Sequence, residues 1–366
     1  MLSLTLLLSP LATAQHYTQT NLLSDGAMVT PAPTQPPDLH LKNPWGLSRS
    51  AGGPWWISDN NDGSSVLLTG TGAVIPINPN GIVTVPNAPS QPGTGTPTGI
   101  VFNGNANAFL LSPGNPAAFI FVTEDGTISG WNPALNKASA VIVVDHSQVP
   151  DAANGAVYKG ATLAEFRGKP YLYVTNFRSG RVEVYDSYFK RVHLEEDAFD
   201  DDCVREGFAP FNIQAIGKNI FVTYAKQDAA RHDDVAGPGL GFVDVFSASG
   251  RRLARLEHGE WLNAPWGLAL APSEFGEFSH SLLVGNFGSG WIAAFNPVSG
   301  KFMGFVKNPD HSILTIDGLW GLEFGNGAAA GPLNTLFFTA GPNGESDGLF
   351  GTLTPVSSEL NEEDEP

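Results

Sequence analysis

Cysteine is nearly absent from this chain: Cys203 is the single one among 366 residues. No internal disulfide can form, so the fold must rest on its own packed interior, which suits a bacterial exported protein or a domain with a large core. Cys203 stands beside Asp200, Asp201 and Asp202. Their negative charge raises a thiol pKa and argues against a nucleophile.

Positive charge is scarce as well. Nineteen Lys and Arg face 36 Asp and Glu, for a formal net charge of −17. Gripping nucleic acid or an anionic membrane surface needs a basic face, so neither is an expected partner. Beyond residue 14 no stretch reaches the roughly 18 consecutive apolar residues of a membrane span. No segment keeps a 3.6-residue apolar period for long. Zinc-binding, phosphate-cradling and dinucleotide motifs are missing too. Gly344-Glu345-Ser346-Asp347-Gly348 matches G-x-S-x-G in letters only, because it falls in an expected hairpin and not at a strand-to-helix elbow. Asp59-Asn60-Asn61-Asp62-Gly63 has its acids out of phase with a Ca²⁺ loop and no closing glutamate.

Punctuation is what the chain has in quantity, with 42 Gly and 28 Pro between short apolar runs. One phrase recurs. Pro44-Trp45-Gly46-Leu47, Pro265-Trp266-Gly267-Leu268 and Leu319-Trp320-Gly321-Leu322 each open a unit, followed by runs such as Leu282-Leu283-Val284 and Ile292-Ala293-Ala294-Phe295. Eroded copies begin at Thr98-Gly99, Lys159-Gly160 and Phe211-Asn212. The anchor position therefore falls at 46, 99, 160, 212, 267 and 321, with spacings of 53, 61, 52, 55 and 54 residues. A period near fifty with several short strands per unit predicts an all-β, six-bladed β-propeller of four-stranded antiparallel blades, a single domain over residues 15–356. The last unit shows three strands, and Tyr17 to Leu23 alternates like a strand before the first anchor. That segment is expected to supply the missing strand and close the ring.

Both ends of the chain carry their own signals. Met1 to Ala14 is apolar and ends Ala12-Thr13-Ala14, a pattern for leader-peptide cleavage before Gln15, which predicts a secreted or periplasmic protein. The acidic segment 357–366 is expected to be a disordered tail.

Propeller geometry places the loops entering the inner strands and the ends of the second strands on one face. The second-strand ends read Asp59, Glu124, Asn176, Tyr224, Asn286 and Ala340; the entrances add Trp45, Phe211, Trp266 and Trp320. Asp59, Glu124, Asn176 and Asn286 offer the oxygen ligands of a divalent cation, Ca²⁺ before others. Such residues are also routine turn formers after strands. The long connection Ala225 to Leu240 brings Lys226, Asp228, Arg231, His232, Asp233 and Asp234 to the same face. His232 and Asp233 are candidates for a base held by a carboxylate, against a solvated loop with internal ion pairs.

At this point the chain resembles a known group. Asn263-Ala264-Pro265-Trp266-Gly267-Leu268-Ala269, Tyr224-Ala225-Lys226-Gln227-Asp228 with His232-Asp233-Asp234-Val235-Ala236-Gly237-Pro238-Gly239, and Phe338-Thr339-Ala340-Gly341-Pro342-Asn343-Gly344-Glu345 are similar to an exported, uncharacterised bacterial propeller family often found with PEP-CTERM sorting signals. The resemblance spans residues 16 to 356 and implies export and a propeller, with no established activity. The C-terminus lacks that family's sorting tail. More distantly, the repeat resembles NHL-type and gluconolactonase-like six-bladed propellers, which implies a divalent cation at the channel mouth. The expected function is a secreted binding or scaffold propeller. Its polar, aromatic-collared cavity would take a small molecule, glycan or peptide through Trp45, Phe211, Tyr224, Lys226, Asp228, Trp266 and Trp320. The alternative is a metal-dependent hydrolase of lactonase or esterase type, with His232 or Asp233 as base.

Overall fold

The structure, a computed structural model, describes residues 15–356 apart from 196, 202 and 203. The expected leader at 1–14, the acidic tail and Cys203 lie outside the described residues.

Six four-stranded antiparallel sheets form the blades. Running outward from the axis, blade one is Pro44–Ser48, Trp55–Asp59, Ser64–Leu68 and Ile82–Thr84. Blade two is Pro97–Phe102, Phe119–Thr123, Thr127–Trp131 and Val141–Asp145; blade three is Tyr158–Phe166, Lys169–Asn176, Arg181–Tyr185 and Arg191–Val192. Blade four is Phe208–Ile216, Asn219–Lys226, Gly241–Ser247 and Arg252–Arg255, and blade five is Pro265–Leu270, Leu282–Asn286, Ile292–Phe295 and Phe302–Phe305. Blade six takes Leu319–Phe324, Leu336–Ala340 and Leu349–Pro355 from the end of the chain. Its outer strand is Tyr17–Ser24, which pairs antiparallel with Leu349–Pro355. A small hairpin, Leu110–Ser112 with Asn115–Pro116, sits between the first two strands of blade two and accounts for the longest spacing.

Each blade is sandwiched between two others, so its middle strands are buried on both faces and read as continuous apolar runs. Along Leu282–Asn286 the side chains alternate between neighbours. Leu283 joins the cluster of Leu319 and Leu322 in blade six. Leu282 and Val284 join Val243 and Val245 of blade four.

The recurring glycines mark where the inner strands converge. A Cβ on Gly46 would lie 2.5 Å from Thr98 O, on Gly99 2.7 Å from Ala161 N, on Gly267 2.6 Å from Trp320 O, and on Gly321 2.6 Å from Trp45 O. Space, not backbone handedness, demands glycine there: none of the four is among the positive-φ residues. All six inner strands shift register at this point. At the replaced position the Asn212 amide donates to Trp266 O at 2.7 Å and so ties blade four to blade five. Threonine hydroxyls tie other joints, Thr98 to Tyr158 O (2.8 Å), Thr175 to Phe211 O (3.0 Å) and, across the ring closure, Thr339 to Trp45 O (2.5 Å).

Candidate functional site at the channel mouth

The residue just before each anchor occupies one position of a ring around the axis: Trp45, Thr98, Lys159, Phe211, Trp266 and Trp320. The four aromatics were expected to line an open cavity. They are buried instead, at 3%, 0%, 4% and 1% exposure, and they plug the channel. Trp45 stacks on Trp320 with ring centroids 3.5 Å apart, Trp266 meets both edge-on at 6.0 Å, and Phe287 stacks on the other side of Trp320 at 4.0 Å. Flat apolar rings converging on an axis fill it more favourably than water would. On the other side of the plug the channel narrows to a cavity of about 30 Å³, bordered by Trp266, Asn212, Gln214 and Glu323.

Lys159 is the exception in the ring. Its side chain is 1% exposed, yet it carries a charge. The ammonium lies over the Trp45 ring, 4.9 Å from the centroid, and 5.8 Å from that of Phe177. It donates to Glu124 Oε1 and, at 3.2 Å, to Asp233 Oδ1. Burial would push the ammonium toward neutrality, but Glu124 and Asp233 outweigh it and raise its pKa. The buried group is a charged ammonium held by two carboxylates over an aromatic face.

The cluster extends outward. His232 Nδ1 lies 2.9 Å from Asp233 Oδ1, and Asn60 donates to Glu124 Oε2 at 2.8 Å. One ligand atom each of Glu124, His232 and Asp233 falls within 4.8 Å of the others. The His232 hydrogen bond holds the Asp233 carboxyl well below the usual carboxylate range. Asp234 is pushed the other way. Burial raises it to about 7, with Lys159 opposing and Glu345 adding to the rise. Its Oδ2 is buried and has no hydrogen-bond partner. Glu345, also raised by burial, accepts from Asn43 at 2.8 Å. It sits third in a left-handed run, Asn343, Gly344 and Glu345, with φ of 57°, 64° and 67°. A non-glycine residue held at such φ signals a loop fixed by its surroundings.

The other expected site residues lie elsewhere. Asp59, Asn176 and Asn286 do not join Glu124 in a cation cage, because each is buried within its own blade, although Asp59 Oδ1 is left without a hydrogen-bond partner there. Asp59 Oδ2 accepts from Val66 N at 2.9 Å, Asn176 donates to Glu183 at 2.9 Å, and Asn286 Oδ1 accepts from Asn263 N at 2.8 Å. The reason is register. Pro44, Tyr158 and Pro265 pair with Asp59, Asn176 and Asn286, but Pro97 pairs with Thr123. Glu124 lies one residue further on, and a one-residue offset on a strand reverses the side chain's direction. Its counterparts are Asn60, Phe177, Ala225, Phe287 and Gly341. All six so placed meet the plug or the cluster: Asn60 and Glu124 in the polar cluster, Phe177, Ala225 and Phe287 in the apolar plug, and Gly341 through its carbonyl, which accepts from Glu345 N at 3.1 Å. Tyr224 turns away into the seam between blades three and four, where its hydroxyl donates to Phe199 O at 3.4 Å. Asp228 caps its own loop by accepting from His232 N at 2.8 Å, and Lys226 is exposed. Asp234 was expected at this face with the rest of its loop, whereas Lys159, Asn60 and Glu345 carried no assigned role. Lys159 had a signal, its place immediately before an anchor glycine.

The architecture defines the chain as a six-bladed β-propeller. No family model matches it. Among curated proteins it is similar to three uncharacterised proteins of Acanthamoeba polyphaga mimivirus. One is 34% identical over 234 residues, 62% of this chain and 42% of its own length, so the chain spans less than half of that relative. A second is 29% identical over 325 residues, 86% of this chain and 81% of its own. Two solved glucose dehydrogenase structures share the fold at 12% identity, with TM-scores of 0.53 and 0.52 over 86% and 92% of this chain and 96% and 98% of theirs. A virginiamycin B lyase from Staphylococcus aureus aligns at a TM-score of 0.48 and 12% identity, over 93% of this chain and 99% of that one. At such identities the likeness to solved structures is one of fold.

Proposed function

We propose that this protein is a binding propeller whose channel-mouth face recognises a positively charged group, an ammonium or guanidinium borne by a peptide or a small molecule. The observation that carries the reading is the unpartnered Asp234 Oδ2 in a group of four carboxylates, of which Glu124 and Asp233 bind the Lys159 ammonium while Asp234 and Glu345 only feel its charge. Lys159 illustrates the chemistry such a face accommodates: a cation between two carboxylates over an indole. A second cation brought to Asp234 would satisfy the buried oxygen and favour its ionised form. The aromatic plug serves as rigid support behind the site. The hydrolase alternative needs four oxygen ligands on one cation, and three of those residues are buried within their own blades, where each makes a hydrogen bond.

Isothermal titration with a panel of lysine- and arginine-containing peptides, against acidic and neutral ones, tests the reading. Basic peptides are expected to bind, more weakly at high salt and more tightly as pH rises from 6 to 8 and Asp234 ionises. Asp234→Asn is expected to weaken binding about tenfold or more, the loss of one charge-assisted hydrogen bond. Equal binding of acidic peptides, or an Asp234→Asn variant that binds as the wild type does, would refute it.

A further inference from the structure

We infer that the Lys159 ammonium is the resident cation of the channel mouth and that it closes a latent site for a divalent transition-metal ion made by Glu124, Asp233 and His232. Three facts converge on it. The ligand atoms of these three residues lie within 4.8 Å of one another, so small side-chain rotations would bring them onto one ion with bonds of about 2.0–2.2 Å. Two of the three, Glu124 and Asp233, already bind Nζ of Lys159. The third, His232, touches the same Asp233 oxygen at 2.9 Å. An ion entering between the carboxylates would meet an ammonium that cannot leave: its side chain is 1% exposed and lies against Trp45 and Phe177.

One imidazole with two carboxylates suits Zn²⁺ or Ni²⁺ better than Ca²⁺, which takes six to eight oxygens. The ammonium instead satisfies the carboxylates with one charge and needs no exchangeable ligand. Whatever the face recognises, it does so in the wild type without a divalent ion at these three residues. The inference goes beyond the proposed peptide recognition, and no peptide enters its test.

The test is Zn²⁺ titration by calorimetry, with metal content measured after dialysis, for the full chain, Lys159→Met, Lys159→Met/His232→Ala and His232→Ala. Methionine keeps the length of the stem over Trp45 and removes the charge. Lys159→Met is expected to bind one Zn²⁺ at least about 100-fold more tightly than wild type and to lose that gain when His232→Ala is added. No gain in a folded Lys159→Met would overturn the inference. Should Lys159→Met not fold, Lys159→Gln takes its place under the same two criteria. A stoichiometric wild-type ion lost in His232→Ala overturns the inference.

Discussion

Adding one methyl group at the ring closure, Gly321→Ala, tests how the propeller is held shut. The new Cβ would stand 2.6 Å from Trp45 O and 2.8 Å from Thr339 Oγ1, and against the Leu47 side chain. Ordinary contact begins near 3.4 Å, so the joint between blades six and one must open by about 0.8 Å. Two of the three obstacles bond each other, Thr339 Oγ1 donating to Trp45 O, so neither yields cheaply. Overpacking of this kind costs about 1–3 kcal/mol, and a strained buried hydrogen bond adds about 1. A gap of that width also forfeits a quarter to a half of the dispersion across it, which weakens the Trp45–Trp320 stack, itself worth about 0.5–1.5 kcal/mol. The sum is about 2–5 kcal/mol. With an unfolding entropy of about 2.1 cal/mol/K per residue, a chain of this size should melt ~3–7 °C lower. Calorimetry of Gly321→Ala beside Gly52→Ala is the assay, because a Cβ on Gly52 meets nothing within 4 Å. If the two variants melt within about 1 °C of each other, close approach is not the reason for the anchor glycine.

Two further outcomes follow from the same geometry. Trp45→Ala should cost about 3–5 kcal/mol by urea denaturation, since Trp45 is 3% exposed and stacked on Trp320; unchanged stability with lost binding would return Trp45 to the role of ligand platform. Glu183, 3% exposed on its side chain, is subject to burial that alone would raise its pKa. The nearby His146, Tyr185 at 2.6 Å, Asn176 and the charge of Arg191 overcome that and hold it at about 2. Its folded pKa lies below the ordinary value, so its contribution is present above about pH 4.5 and is lost as pH falls toward 2. Stability measured across that window should drop by about 3 kcal/mol in wild type and stay flatter in Glu183→Gln. Equal acid limbs would refute the assignment.

The repeat was legible because its cause is local and recurs. Inner strands that converge at backbone distance need glycine, Trp-Gly opens three of the six, and the spacing near fifty counts the blades. The closing role of Tyr17–Ser24 could be read from a last unit one strand short. At the mouth, Glu124, His232 and Asp233 were singled out as chemistry-bearing residues, and the structure brings them together.

Other details depended on tertiary structure. Asp59, Asn176 and Asn286 look identical to channel ligands in sequence, and only the strand register, offset by one at Glu124, separates a turn former from a residue at the mouth. The tryptophans at 45, 266 and 320 announce an aromatic collar. Whether a collar lines a cavity or fills it depends on how closely six blades approach the axis, and no single blade specifies that distance. Lys159 was hidden for the same reason. Its place before the anchor Gly160 puts it in the ring, but it becomes the centre of a site only when blade two supplies Glu124, blade four supplies Asp233 and blade one supplies the ring of Trp45. Residues 35, 74 and 114 positions apart in the chain share one ammonium. Periodicity determined the architecture because each blade repeats the same local physics; closure of the ring decided the site, because its chemistry exists only between blades.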